Sequence, residues 1–133
     1  MRATSDYFSE QQVNEFLNAF FTFKNYGENY SRYEIFLSQQ AKKREEKRRD
    51  QGNFLPQFFG NSVFLSSENY IRIVNEYQIE VICYVIRQID SLNQEGKIVA
   101  KNIEKEVMLK LYYTFEETDS HFLIESYEQL DSL

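Results

Sequence analysis

Residues 70–86 read Y-I-R-I-V-N-E-Y-Q-I-E-V-I-C-Y-V-I, and whether this stretch is helix or strand decides the fold. It is rich in β-branched residues and alternates imperfectly between Ile71 and Val81, which is a strand signal. Length and the placement of polar residues point the other way. Arg72, Glu76, Glu80, Arg87, Asp90 and Gln94 fall on one narrow stripe at helical spacing. Tyr70, Val74, Tyr77, Val81, Ile82, Val85, Ile89 and Leu92 are then left for a broad buried face. The spacing therefore predicts a central helix over residues 68–94, capped by Ser66 or Ser67 and ended by Gly96.

Composition supports long elements. The chain has 133 residues, with twelve Phe and ten Tyr to fill a core but only four Gly and one Pro to make tight turns. An all-β chain ordinarily needs more turn residues than that. A first helix is expected over residues 9–24, where S-E-Q-Q at Ser9 has the spacing of a capping box and Val13, Phe16, Leu17, Phe20 and Phe21 share a face. A second should begin near residues 28–31, bury Tyr30, Tyr33, Phe36, Leu37 and Ala41, and run on to Asp50 beyond its apolar stripe. Gly52 and Asn53 can end it, and Pro56 blocks its resumption. Val99, Ile103, Val107 and Leu111 predict a helix after Gly96, with Met108, Tyr112 and Phe115 beside that line. A last helix over residues 120–130 would bury Leu123, Tyr127 and Leu130. The expected fold is all-α: one domain, residues 1–133, a compact bundle of four to five helices with a long second helix and a Phe-rich connector.

Charge is unevenly placed. Lys42, Lys43, Arg44, Lys47, Arg48 and Arg49 crowd into eight residues, diluted by Glu45 and Glu46, while residues 111–133 carry Glu116, Glu117, Asp119, Glu125, Glu128 and Asp131 without a Lys or Arg. The formal net charge of -6 disfavours a protein that coats nucleic acid with its whole surface. The basic segment itself reads as a solvated helix end, where cations oppose the helix dipole, as a polyanion site, or as a contact for an acidic protein partner such as the acidic tail of a second copy. Next to it Phe54, Phe58 and Phe59 lie in a connector too apolar for an ordinary loop, either a lid over the bundle or a docking surface.

Catalytic signatures are absent from the sequence. One His and one Cys cannot build the usual zinc cages, and no phosphate loop or nucleophile elbow is present. His121 lies close in sequence to Glu117, Asp119 and Glu125, but a lone histidine at a helix start is ordinarily a surface residue. Cys83, inside an apolar run, reads as core filler and excludes an intramolecular disulfide. Residues 86–107 have the helix, glycine, link and helix layout of a helix-turn-helix, yet acidic and aromatic residues follow where a recognition helix needs cations and amides.

These features point to a small cytoplasmic, non-enzymatic protein without a cofactor or a membrane span. It is expected to bind a protein partner as a regulator or inhibitor, presenting an acidic face at Glu116, Glu117 and Asp119 to a nucleic-acid enzyme. Its contacts would be the basic segment, the Phe-rich connector and that acidic face. Complementary charged regions also suggest a homo-oligomer. The alternative is a nucleic-acid-binding regulator acting through residues 42–49.

Overall fold

The computed structural model describes residues 8–24, 28–50, 59–93, 95, 97–117 and 121–130, with backbone alone at 48–50 and 59–60. Helix α1 (Glu10–Phe21) is followed by α2 (Tyr30–Tyr33), a 3-10 turn at Glu34–Phe36, and α3 (Gln39–Asp50). Four strands come next: β1 (Phe59–Asn75), β2 (Gln78–Leu92), β3 (Ile98–Glu116) and β4 (His121–Leu130). They form an antiparallel sheet in the order β1-β2-β3-β4. The expected all-α bundle is thus overturned: the central helix is the β1–β2 hairpin, and the two helices expected after Gly96 are β3 and β4.

Two physical facts explain the error. Among the described residues, two hairpin turns are closed by asparagine side chains. Asn75 Oδ1 accepts the Tyr77 amide at 2.8 Å, closing the β1–β2 hairpin, and Asn93 Oδ1 accepts the amides of Glu95 and Lys97 at 2.9 and 3.0 Å. Asn102 takes a left-handed backbone, φ 57°, at a bulge where the β2–β3 register shifts, and its amide donates to Asp90 Oδ1 at 3.1 Å. The second fact is that residues four apart share a face in a strand as well as in a helix. Val81 and Val85, or Val107 and Leu111, therefore fit both periods. The residues between them decide, and Cys83, Leu109 and Tyr113 are buried.

The first helix follows the sequence closely. Ser9 Oγ accepts the Gln12 amide at 3.4 Å, and Val13, Phe16, Leu17 and Phe21 are buried. The Gln12 side chain does not reach back to complete a capping box; it donates to the Phe122 carbonyl at 2.7 Å and ties α1 to β4. The long second helix is split instead. Leu37 is extended, bridges Ile124 in parallel, and leaves Ser38 to start α3: the Ser38 amide donates to the Ile124 carbonyl at 2.9 Å, and Ser38 Oγ accepts the Ala41 amide at 3.2 Å. Asn29 precedes α2, and its side-chain Nδ2 donates to the Ala19 and Phe20 carbonyls at 2.8 Å each, satisfying the end of α1.

The core lies between the helices and one face of the sheet. Ile79, Val81, Cys83 and Val85 of β2 and Val107, Leu109, Leu111 and Tyr113 of β3 alternate inward against Phe16, Leu17, Tyr33 and Leu37. Tyr70, Val74 and Tyr77, placed inside by the helical reading, are 58%, 40% and 52% exposed. Burial pushes the Tyr113 phenol up, and pushes the Cys83 thiol up to about 12.

Leu109→Ala is expected to cost about 2–5 kcal/mol in urea unfolding, and more than Met108→Ala, because only Leu109 points into the core; the helical period would favour Met108. Cys83 should resist thiol reagents at neutral pH, where it stays a thiol, and react only as fast as the chain unfolds.

Candidate functional site

Two features of the structure could carry function: the seam between α3 and β4, and the sheet face that the helices leave open. α3 has little apolar surface, Ala41 being its buried hydrophobic residue. A carboxylate does the rest of the docking. Glu45 is 7% exposed; the Tyr33 hydroxyl donates to its Oε1 at 3.0 Å and the Tyr127 hydroxyl to its Oε2 at 2.5 Å. Tyr127 also meets Phe20 edge-on at 5.2 Å, so the carboxylate is joined to the aromatic core. Nearby, Ser38 Oγ donates to Glu125 Oε1 at 2.9 Å, and the Arg44 guanidinium donates to the Glu125 carbonyl and lies 3.8 Å from its carboxylate. Ala41, Arg44, Glu45, Ser126 and Tyr127 line a cleft of about 250 Å³ along this seam. On the neighbouring turn Tyr30 donates to Glu46 at 3.3 Å, and burial together with the Glu46 charge raises its phenol to about 12.

The outer sheet face is built from the residues between the core positions. Strand register sets Tyr70, Ile82, Lys110 and Glu128 in one row and Glu68, Tyr84, Met108 and Leu130 in the next. Tyr70 and Tyr84 meet edge-to-face at 5.6 Å and are 58% and 44% exposed. Beside them runs a polar chain: Arg72 and Lys110 pair with Glu80 at 2.9 and 3.7 Å, Lys110 sits 5.0 Å over the Tyr112 ring, and Tyr112 donates to Glu128 at 2.7 Å. The bond to Tyr112 and the charge of Glu80 hold the Lys110 ammonium above its ordinary range; the bond to Glu128 does the same for the Tyr112 phenol. At the hairpin end a groove of about 240 Å³ crosses this face, lined by Val74, Gln78, Tyr112 and Thr114 and reaching Gln40 and Glu125.

The residues singled out in the sequence are not assembled into one site. Lys42 is half-buried on α3, while Lys43, Arg44 and Lys47 are exposed. The side chains of Arg48, Arg49 and Phe59 lie outside the described residues, as do Phe54, Phe58 and Asp119 altogether, so the lid and docking readings of the connector both stay with the sequence. Glu116 is half-buried at the end of β3, opposite His121, and Glu117 follows it exposed. α3 starts beside Ile124 and runs past Ser126 and Tyr127, away from the β3–β4 turn. Glu116 and Glu117 therefore sit at the β3–β4 turn, whereas Arg44 meets the acidic region at Glu125, midway along β4.

Sequence reasoning missed the Glu45 cluster and the Tyr70–Tyr84 face. Glu45 looked like one charge in a solvated run, and nothing local marks it as buried. The face was legible once Tyr70, Arg72 and Val74 are taken as alternate residues of a strand. Among the described residues no group of three or more His, Cys, Asp and Glu could hold a metal ion, and no helix is long and apolar enough to cross a membrane.

No family model matches this chain, and no curated protein matches it. Among solved structures it is similar to an "Ntf2 like protein involved in plasmid conjugation", with a TM-score of 0.62 and 12% sequence identity. The match covers 92% of this chain and 48% of that one, so the chain spans about half the length of the structure it resembles. The likeness is one of fold: helices on one face of an antiparallel sheet.

Glu45→Ala would leave two phenols without their acceptor. At about 1.5–3 kcal/mol per bond to a charged group, it should destabilise the chain more than Glu46→Ala. Urea unfolding and amide exchange within α3 check this, the exchange loss being expected first in α3.

Proposed function

We propose that this chain is a non-catalytic protein-binding regulator that docks its partner on the outer face of the sheet. The observation that carries the reading is the group of exposed and half-exposed apolar side chains on two adjacent rows there, Tyr70 and Ile82 on one and Tyr84, Met108 and Leu130 on the next, which no described element covers. Contiguous apolar surface with a rim of charge is what a partner site offers. Amphipathic tyrosines that already pack edge-to-face on one another lose little entropy on contact. The rim of Arg72, Glu80, Lys110 and Glu128 is paired internally, so it supplies orientation rather than an open charge. The similar structure belongs to a protein involved in plasmid conjugation, and that setting is in keeping with a binding role.

A second reading, nucleic-acid binding through α3, gains from the burial of Glu45. With that acid turned inward, Lys43 and Lys47 face solvent with Glu46 as the acid among them, while Arg44 is engaged by Glu125. The local surface is more basic than the sequence suggested.

Tyr84→Asp should leave stability within about 1 kcal/mol, as for most surface substitutions, and abolish partner capture. Affinity capture from the native host with the wild type and this variant, followed by identification of retained proteins, tests it. A protein held by the wild type and lost by the variant supports the reading; identical sets overturn it. For the second reading, two phosphate contacts, from Lys43 and Lys47, would weaken binding about 12-fold between 50 and 200 mM salt. Fluorescence anisotropy with a labelled oligonucleotide, wild type against Lys43→Glu with Lys47→Glu, should show that slope in the wild type alone.

A further inference from the structure

Among the described residues the outer edge of β1 is open over part of its length. At its start the edge is taken: Phe23 and Ser62 exchange backbone bonds of 2.9 and 2.8 Å, and Thr22 Oγ1 accepts the Phe64 amide at 3.1 Å. From residue 66 to 75 the strand pairs with β2 on one side, and no described residue bonds its backbone on the other. Apolar side chains stand exposed on both sides of this stretch. Tyr70 and Val74 are 58% and 40% exposed on the outer face, and Ile71, on the core side, is still 36% exposed. Soluble proteins usually guard such an edge with bulges, short length or inward charges. Register shifts flank residues 66–73 but none interrupts them, and the charges on this edge are Glu68 and Arg72.

We infer that this edge pairs with the same edge of a second copy, antiparallel and centred on Tyr70, joining two sheets into one of eight strands. The charge pattern selects the partner and the register. A two-fold axis through Tyr70, normal to the sheet, keeps outer side chains on the outer face and sets Glu68 of each copy opposite Arg72 of the other. Glu68 is exposed and makes no ion pair among the described residues; Arg72 pairs with Glu80, which Lys110 also serves. Pairing centred on residue 68 or 72 would instead oppose like charges, and centres at 69 or 71 would leave both charges facing uncharged residues. Opposite-charge pairs directly across a sheet stabilise it, and like pairs destabilise it. The Tyr70 rings meet at the axis, each backed by its own Tyr84. This interface stands on the free edge and the charge register, not on the partner-binding reading.

Sedimentation of the full chain, alone and as charge variants, tests the inference. The wild type should dimerise. Glu68→Arg and Arg72→Glu alone, each creating two like-charge pairs, should weaken the dimer by about tenfold or more, while an equimolar mixture of the two variants should recover it as a heterodimer. Far-UV circular dichroism shows that each variant is folded. Independently, Tyr70→Cys should form a disulfide-linked dimer on oxidation, because residues directly opposite across strands have Cβ atoms about 4.5–5.5 Å apart. Tyr84→Cys should not, and Cys83 is buried and out of reach. A wild type that stays monomeric at its solubility limit overturns the inference. So does a dimer that the charge variants do not weaken, or one that cross-links through residue 84 instead of 70. A dimer whose capture of partners is indifferent to Tyr84→Asp would sink the proposed function and leave this interface standing; a monomer that captures a partner would do the reverse.

Discussion

The fold depends on covering one face of the β2–β3 pair. These two strands bring the longest apolar alternation in the chain into register, Val81 opposite Leu111 and Cys83 opposite Leu109, with every one of these side chains directed to the same side. A sheet with such a face must pack against something. The helices supply the cover and are stable because of it. A twelve-residue helix is marginal in isolation, yet α1 inserts Val13, Phe16, Leu17 and Phe21 into the cluster. Helix α2 and its 3-10 turn bring Tyr33 and Phe36 to the same aromatic group, each ring edge-on to Phe16.

How the sequence encodes this is uneven. The first helix was legible because its signals are local: a serine cap, an apolar stripe and polar residues elsewhere. The sheet was not, and the cause is specific. Its apolar residues also fall four apart, which both periods accept, and two of its turns are closed by Asn75 and Asn93 through side-chain to backbone bonds. An asparagine within an apolar run carries a turn signal that competes with helix, and Asn75 lies within residues 70–86, where both periods fit. β-branched density at residues 71–86 was the better guide than polar periodicity, since a long helix rich in Ile and Val forfeits rotamer freedom that a strand retains.

The site residues divide along the same line. The exposure of Lys43 and Lys47 follows from charge alone. The split of the second helix at Leu37 and the burial of Glu45 do not, because both are set by β4, which lies about eighty residues downstream. Leu37 is extended because the Ile124 backbone is there to bridge it, and Glu45 turns inward because Tyr127 and Tyr33 present hydroxyls to it. A long-range partner fixes local structure in each case.

That arrangement sorts the charges of α3 by side. A helix with only Ala41 as a buried apolar anchor gains little from hydrophobic docking, and burying a bare carboxylate would cost more than it returned. Two phenolic donors remove that penalty, so Glu45 can serve as the docking residue while the cations stay in water. The helix is thereby held in one rotational setting about its axis, with Arg44 along the seam at Glu125 and Lys43 and Lys47 outward. Had Glu45 been an apolar residue, sliding or rotation by one position would cost little. The directional bonds to Tyr33 and Tyr127 make the setting specific, and with it the surface that the chain presents beside β4.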